Sequence, residues 1–210
     1  IEEDIEWMIQ RFNDSRGLNQ MAYGSTWLES HVKIKEAILD VESSVGNELQ
    51  CNGVDLVVLG SSLGWQCFFG NLWMMDFGEE GTEEEKGGGR CVGYEILGSQ
   101  VSTAQKVAEK FGLEDSITFV QEDARKADFS NAKLIWLNTY AWPQDLKDEI
   151  LAKISSEAPA NAMVLSYDPI NSAEASTTDH NNNLFRLEAQ VDIETTWDPQ
   201  IKAHIYRVTK

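Results

Sequence analysis

Apolar residues recur along this chain at two spacings, and the spacing changes wherever a glycine, a proline or a polar cluster intervenes. In "YGSTWLESHVKIKEAILDV", Leu28, Val32, Ile38 and Val41 fall close to one helical stripe. Thr26 and Glu29 in front of it form the T-x-x-E pattern of a capping box. "VDLVVL" (54–59) is a short β-branched run, the pattern of a central parallel strand buried on both faces. After Gly64 the period becomes helical again, through Trp65, Phe68, Phe69, Leu72 and Trp73. "RCVGYEIL" (90–97) predicts a second strand, followed by a helix that Ser99 can cap and Gly112 ends. The inward face of that helix is Val101, Ala104, Ala108 and Phe111. "SITFVQ" (116–121), "AKLIWLN" (132–138) and "NAMVLSYD" (161–168) predict three more strands. Pro143 opens the helix between the last two, with Leu146, Ile150 and Ile154 as its core stripe.

Two stretches break the rhythm. "DFGEEGTEEEKGGGR" (76–90) is acidic, glycine-rich and aperiodic, so it reads as a flexible insertion, and "STTDHNNN" reads as a loop. Beyond them "LFRLEAQVDIETTW" and "QIKAHIYRV" flank "DPQ" as an antiparallel hairpin. Strands separated by helices and closed by a hairpin predict an α/β fold. Its sheet would be doubly wound, mostly parallel and seven-stranded, with a C-terminal antiparallel hairpin and helices on both faces. Residues 1–50 are read as an N-terminal helical cap, and 51–210 as the sheet domain.

Composition narrows the chemistry. A net charge of −18 argues against direct nucleic-acid binding, since that affinity comes from cations displacing phosphate counterions. It suits a cationic ligand or a basic partner better. Cys51, Cys67 and Cys91 are too widely spaced for a C-x-x-C motif, and their odd, low count predicts a reducing intracellular compartment, cytoplasmic or nuclear. No run is long enough to span a membrane. His31, His180 and His204 lie far apart in the pattern and make no metal-ligand spacing, so no metal is expected and each is read as structural or solvated.

Right-handed crossovers put the C-termini of parallel strands on one edge. The first strand delivers the loop Gly60, Ser61, Ser62 and Gly64 there, the second Glu95, the third Asp123, and the fourth Asn138, Thr139 and Tyr140. Glycines admit close backbone approach, and a carboxylate at Glu95 can accept hydrogen bonds from two ribose hydroxyls. Asp123, or a backbone amide beside it, can take the exocyclic amine of adenine. Together these predict an adenosyl cofactor site.

The order resembles the Rossmann-like methyltransferases that use S-adenosylmethionine, over roughly residues 54 to 208. A narrower resemblance, carried by "YGSTW", "LGSSLG", "VGYEI", "EDA", "LIWLNTYAW" and "VLSYDPI", is to the disruptor-of-telomeric-silencing type of non-SET histone lysine methyltransferases. It implies Tyr23, Gly24 and Thr26 in a loop that closes over the cofactor. Gly60, Ser61, Ser62 and Gly64 would form the cofactor loop, Glu95 would hold the ribose, and Asp123 with Ala124 would meet the adenine. Asn138, Tyr140 and Trp142 would line the acceptor channel, with Asn138 and Tyr140 as the catalytic pair. The sequence departs from that pattern at Ser25, Val58, Ser62 and Ala124, and has no lysine-rich segment. The implied cofactor is S-adenosyl-L-methionine, and the implied partner is a methyl acceptor, either a basic protein or a small molecule.

Three other readings stay open. A nicotinamide-dependent oxidoreductase shares the strand–glycine–helix start, but wants its acid about 20 residues beyond the loop. A catalytically silent domain of this fold would only bind. A small-molecule methyltransferase would differ only in its acceptor channel.

Overall fold

The apolar runs lie side by side in one sheet. The computed structural model describes residues 26–44, 54–76, 89–170, 184–196 and 198–210. Its strands are β1 (Val54–Leu59), β2 (Arg90–Glu95), β3 (Ile117–Gln121), β4 (Leu134–Leu137), β5 (Met163–Ser166), β6 (Phe185–Ile193) and β7 (Ile201–Val208). Their order is β3-β2-β1-β4-β5-β7-β6. The first five run parallel, while β7 is antiparallel to both β5 and β6. Winding reverses between β1 and β4, so a crevice opens at that switch point beyond the strand C-termini. The predicted seven-stranded, mostly parallel sheet with its antiparallel pair is therefore present.

Side-chain alternation divides the core into two layers. On one face Leu56, Val58, Trp136, Leu165 and Ile205 pack against α1 (Leu28–Ser44), α2 (Trp65–Asp76) and α3 (Gly98–Lys110). On the other, Leu59, Ile135, Leu137 and Val164 pack against α4 (Gln144–Glu157) and a 3-10 turn, Ala124–Lys126. All four residues of β4 are buried, as expected of a strand covered on both sides. Phe111 and Gly112 end α3 in a Schellman motif: Leu113 N–H reaches Ala108 O, Gly112 N–H reaches Glu109 O, and Gly112 takes a φ of +66°. The residues read as the insertion lie mostly outside the described ones, as do "STTDHNNN", Cys51 and His180. Cys67 and Cys91 are buried free thiols, and burial pushes the Cys91 thiol up. Among the described residues no helix is long and apolar enough to cross a membrane, and no group of three metal-ligating side chains occurs.

Three local expectations are corrected. Leu28 and Val32 are exposed at 39% and 45%, and the buried stripe of α1 is Ser30, His31, Ile34, Ile38 and Val41. The stripe is rotated because a histidine occupies a core position. Thr26 is not the cap of α1: the first helical bond runs from His31 N–H to Trp27 O, and the Thr26 hydroxyl bonds Tyr167 instead. Ser99 does not cap α3 either, because the helix begins at Gly98, with Leu97 at its N-cap two residues earlier than expected.

His31 sits fully buried among Phe69, Trp73 and Trp136, with ring centroids 4.5, 5.9 and 5.2 Å away. Neither ring nitrogen has a partner among the described residues. Burial drives its pKa from 6.5 down to about 3, so it is neutral in the fold. Between those values the unfolded chain binds the extra proton. The stability of the neutral buried ring is therefore complete above about pH 6.5 and is lost as pH falls toward 3. We expect His31→Leu to flatten the fall in unfolding free energy on acidification, by up to about 1.4 kcal/mol per pH unit. Urea unfolding at a series of pH values measures it, and an unaltered slope would exclude His31 as its source.

Candidate functional site

Three residues of the β1–α2 turn take left-handed backbone: Gly60 at φ +67°, Ser62 at +51° and Gly64 at +91°. A Cβ at Gly60 would lie 2.8 Å from Asn138 O, and one at Gly64 would lie 2.5 Å from the Phe119 ring, so both positions require glycine. Serine at such a φ is strained by roughly 1–2 kcal/mol, so Ser62 needs an external hold. Glu95 supplies it. Glu95 Oε2 accepts the Ser62 N–H at 3.0 Å, and Oε1 accepts the Leu97 N–H at 3.0 Å. Gly60 and Ser61 both donate their N–H to Tyr94 O, at 2.9 and 3.0 Å. Gly64 O accepts the first bond of α2 from Phe68, with the turn closed by Gly64 N–H to Ser61 O.

Asn138 clamps the same turn from the β4 side. Its Nδ2 donates to Gly60 O at 2.9 Å and its backbone N–H to Leu59 O at 3.0 Å. The Gly60–Gly64 loop, Glu95 and Asn138 thus form one connected constellation at the C-termini of β1, β2 and β4. Asp123 joins it through the backbone of its neighbour, since Glu122 N–H donates to Glu95 O at 3.1 Å. The Asp123 carboxylate caps the 3-10 turn through the Arg125 N–H and pairs with the Arg125 guanidinium at 2.6 Å. That hydrogen bonding holds its pKa at about 2. Ala124, at 9% exposure, is packed into the second core layer.

The remaining predicted residues are spread around this centre. Ser61 is fully buried, its hydroxyl without a partner among the described residues, so its side chain faces inward toward Gly93. Tyr140 is exposed at 48%, and Trp142 is half-buried beside Gly60. Trp65 stacks on Phe69. Tyr23 and Gly24 lie outside the described residues. Thr26 pairs with Thr195 as an isolated bridge and shares a 2.6 Å hydrogen bond with the Tyr167 hydroxyl, which also accepts from Trp136 Nε1 at 3.2 Å. Burial raises that phenol to about 12.

Two features of this edge escape a sequence reading. Ile96 and Leu97, next to Glu95, are exposed at 65% and 42%; in the sequence they only lengthen an apolar strand. Lys147 and Asp168 form a 2.6 Å ion pair beside a cavity under the β4–α4 connection, which no local spacing announces.

No protein-family model matches the chain, and no curated protein matches it in sequence. Solved structures match it in fold. An RNA methyltransferase from Salinibacter ruber, in complex with S-adenosyl-L-homocysteine, is 20% identical with a TM-score of 0.56, over 89% of this chain and 94% of that one. The O-MT of StiE is 14% identical with a TM-score of 0.55, over 85% and 75%. Magnesium protoporphyrin IX methyltransferase from Synechocystis, with bound SAM, is 13% identical with a TM-score of 0.50, over 90% and 88%. What this chain shares with them is the fold, a Rossmann-like sheet closed by an antiparallel pair.

Proposed function

We propose that this chain is an S-adenosylmethionine-dependent methyltransferase. The observation that carries the reading is Glu95, whose carboxylate reaches from the end of β2 to the strained turn at Ser62 that follows β1, beside the switch point. A carboxylate has about four acceptor sites, and two are used, so two ribose hydroxyls can still be received. The solved structures of this fold that contain SAM or S-adenosylhomocysteine support the same ligand.

S-adenosylmethionine supplies a methyl group already activated on a sulfonium, open to in-line displacement by a nitrogen or oxygen nucleophile. The chain's own task is then placement, because orientation lowers such a barrier without acid–base machinery. Glu95 holds the sugar, and Ile96 offers an exposed apolar platform for the purine. Asp123 meets the purine amine with the lone pairs that Arg125 leaves. Asn138 fixes the loop through Gly60 O, which makes it a positioning group, while the exposed Tyr140 borders the acceptor.

The acceptor reading follows from charge and size. A net charge of −18 runs against an RNA acceptor. Of the closing loop behind the lysine-methyltransferase likeness, Thr26 is the described member, and its hydroxyl is engaged by Tyr167. A small molecule suits the small cavity beside Tyr140 better than a protein lysine does. Calorimetry tests the core reading: S-adenosylhomocysteine should bind while NAD does not. NAD binding instead would establish the oxidoreductase, and binding of neither would leave a silent module.

A further inference from the structure

Next to the proposed methyl-transfer centre, on the α4 side of the sheet, is a cavity of about 80 Å3. One ordered water needs about 10–15 Å3, so the space holds several waters or one small headgroup. Leu137, Ile150 and Ile170 give it an apolar floor. Its polar wall is Thr139, Ser166, Lys147 and Asp168, brought together from the ends of β4 and β5 and the first turns of α4.

The hydrogen-bond inventory of this wall is incomplete. Lys147 Nζ donates to Asp168 Oδ2 at 2.6 Å and to Tyr140 O at 3.2 Å, leaving one of its three donors over among the described residues. Ser166 Oγ accepts the Asp168 N–H at 3.2 Å and keeps its own proton to give. Thr139 is 4% exposed and lines the cavity, and its hydroxyl makes no hydrogen bond among the described residues, so it is free to bond a group held there.

An ammonium and a carboxylate of the protein, held side by side, discriminate between ligands. A lone anion would be drawn to Lys147 but repelled by Asp168, and a lone cation the reverse. A group carrying both charges on neighbouring atoms satisfies the pair, with two hydroxyls left to complete the anion's bonds.

We propose that this cavity binds the α-amino-acid end of the methyl acceptor, its carboxylate at Lys147, Thr139 and Ser166 and its ammonium at Asp168. The assignment rests on the methyltransferase reading for the word acceptor; the charge complementarity stands independently. Asp168 keeps the bound amine protonated and non-nucleophilic, so the atom that receives the methyl group lies at the far end of the same molecule, toward Tyr140.

Glycine, acetate and methylammonium probe the whole headgroup and its two halves, titrated by calorimetry with and without S-adenosylhomocysteine. Glycine should bind saturably and about 10-fold or more tighter than either half, as charge-assisted bonds to both partners require. Thr139→Val should weaken glycine about 5-fold or more while leaving S-adenosylhomocysteine affinity within about 2-fold, since only a hydroxyl with no internal partner is lost. Asp168→Asn should shift the preference from glycine toward acetate. Glycine binding no tighter than its halves, or unaffected by Thr139→Val, would overturn the proposal. A 10-fold loss of S-adenosylhomocysteine in Thr139→Val would also overturn it, assigning the cavity to the cofactor's own amino-acid end. If the parent protein bound glycine as described but no S-adenosylhomocysteine, the methyltransferase reading alone would fall.

Discussion

Glu95→Ala lowers affinity for S-adenosylhomocysteine by about 10- to 100-fold, the equivalent of roughly 1.5–3 kcal/mol for hydrogen bonds to a charged acceptor. Two effects contribute. The ribose loses its acceptor, and Ser62, held at φ +51° by the Glu95 carboxylate, loses the bond that offsets its strain. A second substitution separates them. Ser62→Gly removes the strain, because glycine takes that conformation freely. If loop distortion were the main effect, the double variant Ser62→Gly/Glu95→Ala would recover affinity. We expect it to stay weak, since a glycine restores the turn but not the acceptor. Calorimetric titration of the parent and three variants measures this, and a parental affinity in Glu95→Ala would remove the residue from the site.

Arg207→Ala destabilises the fold by about 3–5 kcal/mol, the usual cost of stranding a buried charge. The Arg207 side chain is 3% exposed on β7, and it joins three elements. Its NH2 lies 2.8 Å from Glu42 Oε1 of α1, its Nε lies 3.2 Å from Glu188 Oε1 of β6, and its NH1 donates to Asn161 O at 3.1 Å. Without the guanidinium, Glu42, itself 7% exposed, faces the interior with no cation on it among the described residues. For a chain of this size the midpoint of thermal unfolding should fall by about 10 °C. The pair Glu42→Leu/Arg207→Met should recover most of the loss, because matched apolar groups carry no desolvation penalty. A single variant that melts within about 2 °C of the parent would show the network to be dispensable.

Some of this architecture is written locally and some is not. "VDLVVL" ahead of Gly60 specifies a doubly buried strand, because an unbroken β-branched run has no face to offer water. The convergence of Gly60, Glu95 and Asn138 was legible for a related reason: in a right-handed parallel sheet, position at a strand's C-terminus already fixes the edge. The interior of α1 was not legible, since periodicity counts His31 as polar while three aromatic rings accept its neutral form. The role of Ser62 was half visible. A hydroxyl was available to reason from, yet Glu95 takes the backbone N–H, and φ is not a property that composition reveals. Ile96 reads as one more strand residue until the strand is seen to stop at Glu95. Lys147 with Asp168, and Arg207 with Glu42, are meetings between distant segments, and nothing in the neighbourhood of either partner encodes the other.

The strand order carries a consequence for biogenesis. β6 precedes β7 in the chain yet touches the sheet only through it, since β7 lies between β5 and β6. While a ribosome has delivered β6 but not β7, the outer edge of β5 displays unsatisfied backbone groups and β6 has no strand to pair with. That nascent intermediate offers an open template to any extended segment nearby, including β6 of a neighbouring nascent copy. Chaperone dependence during synthesis should therefore peak in the short interval before Ile201–Val208 emerges and fall away once it inserts.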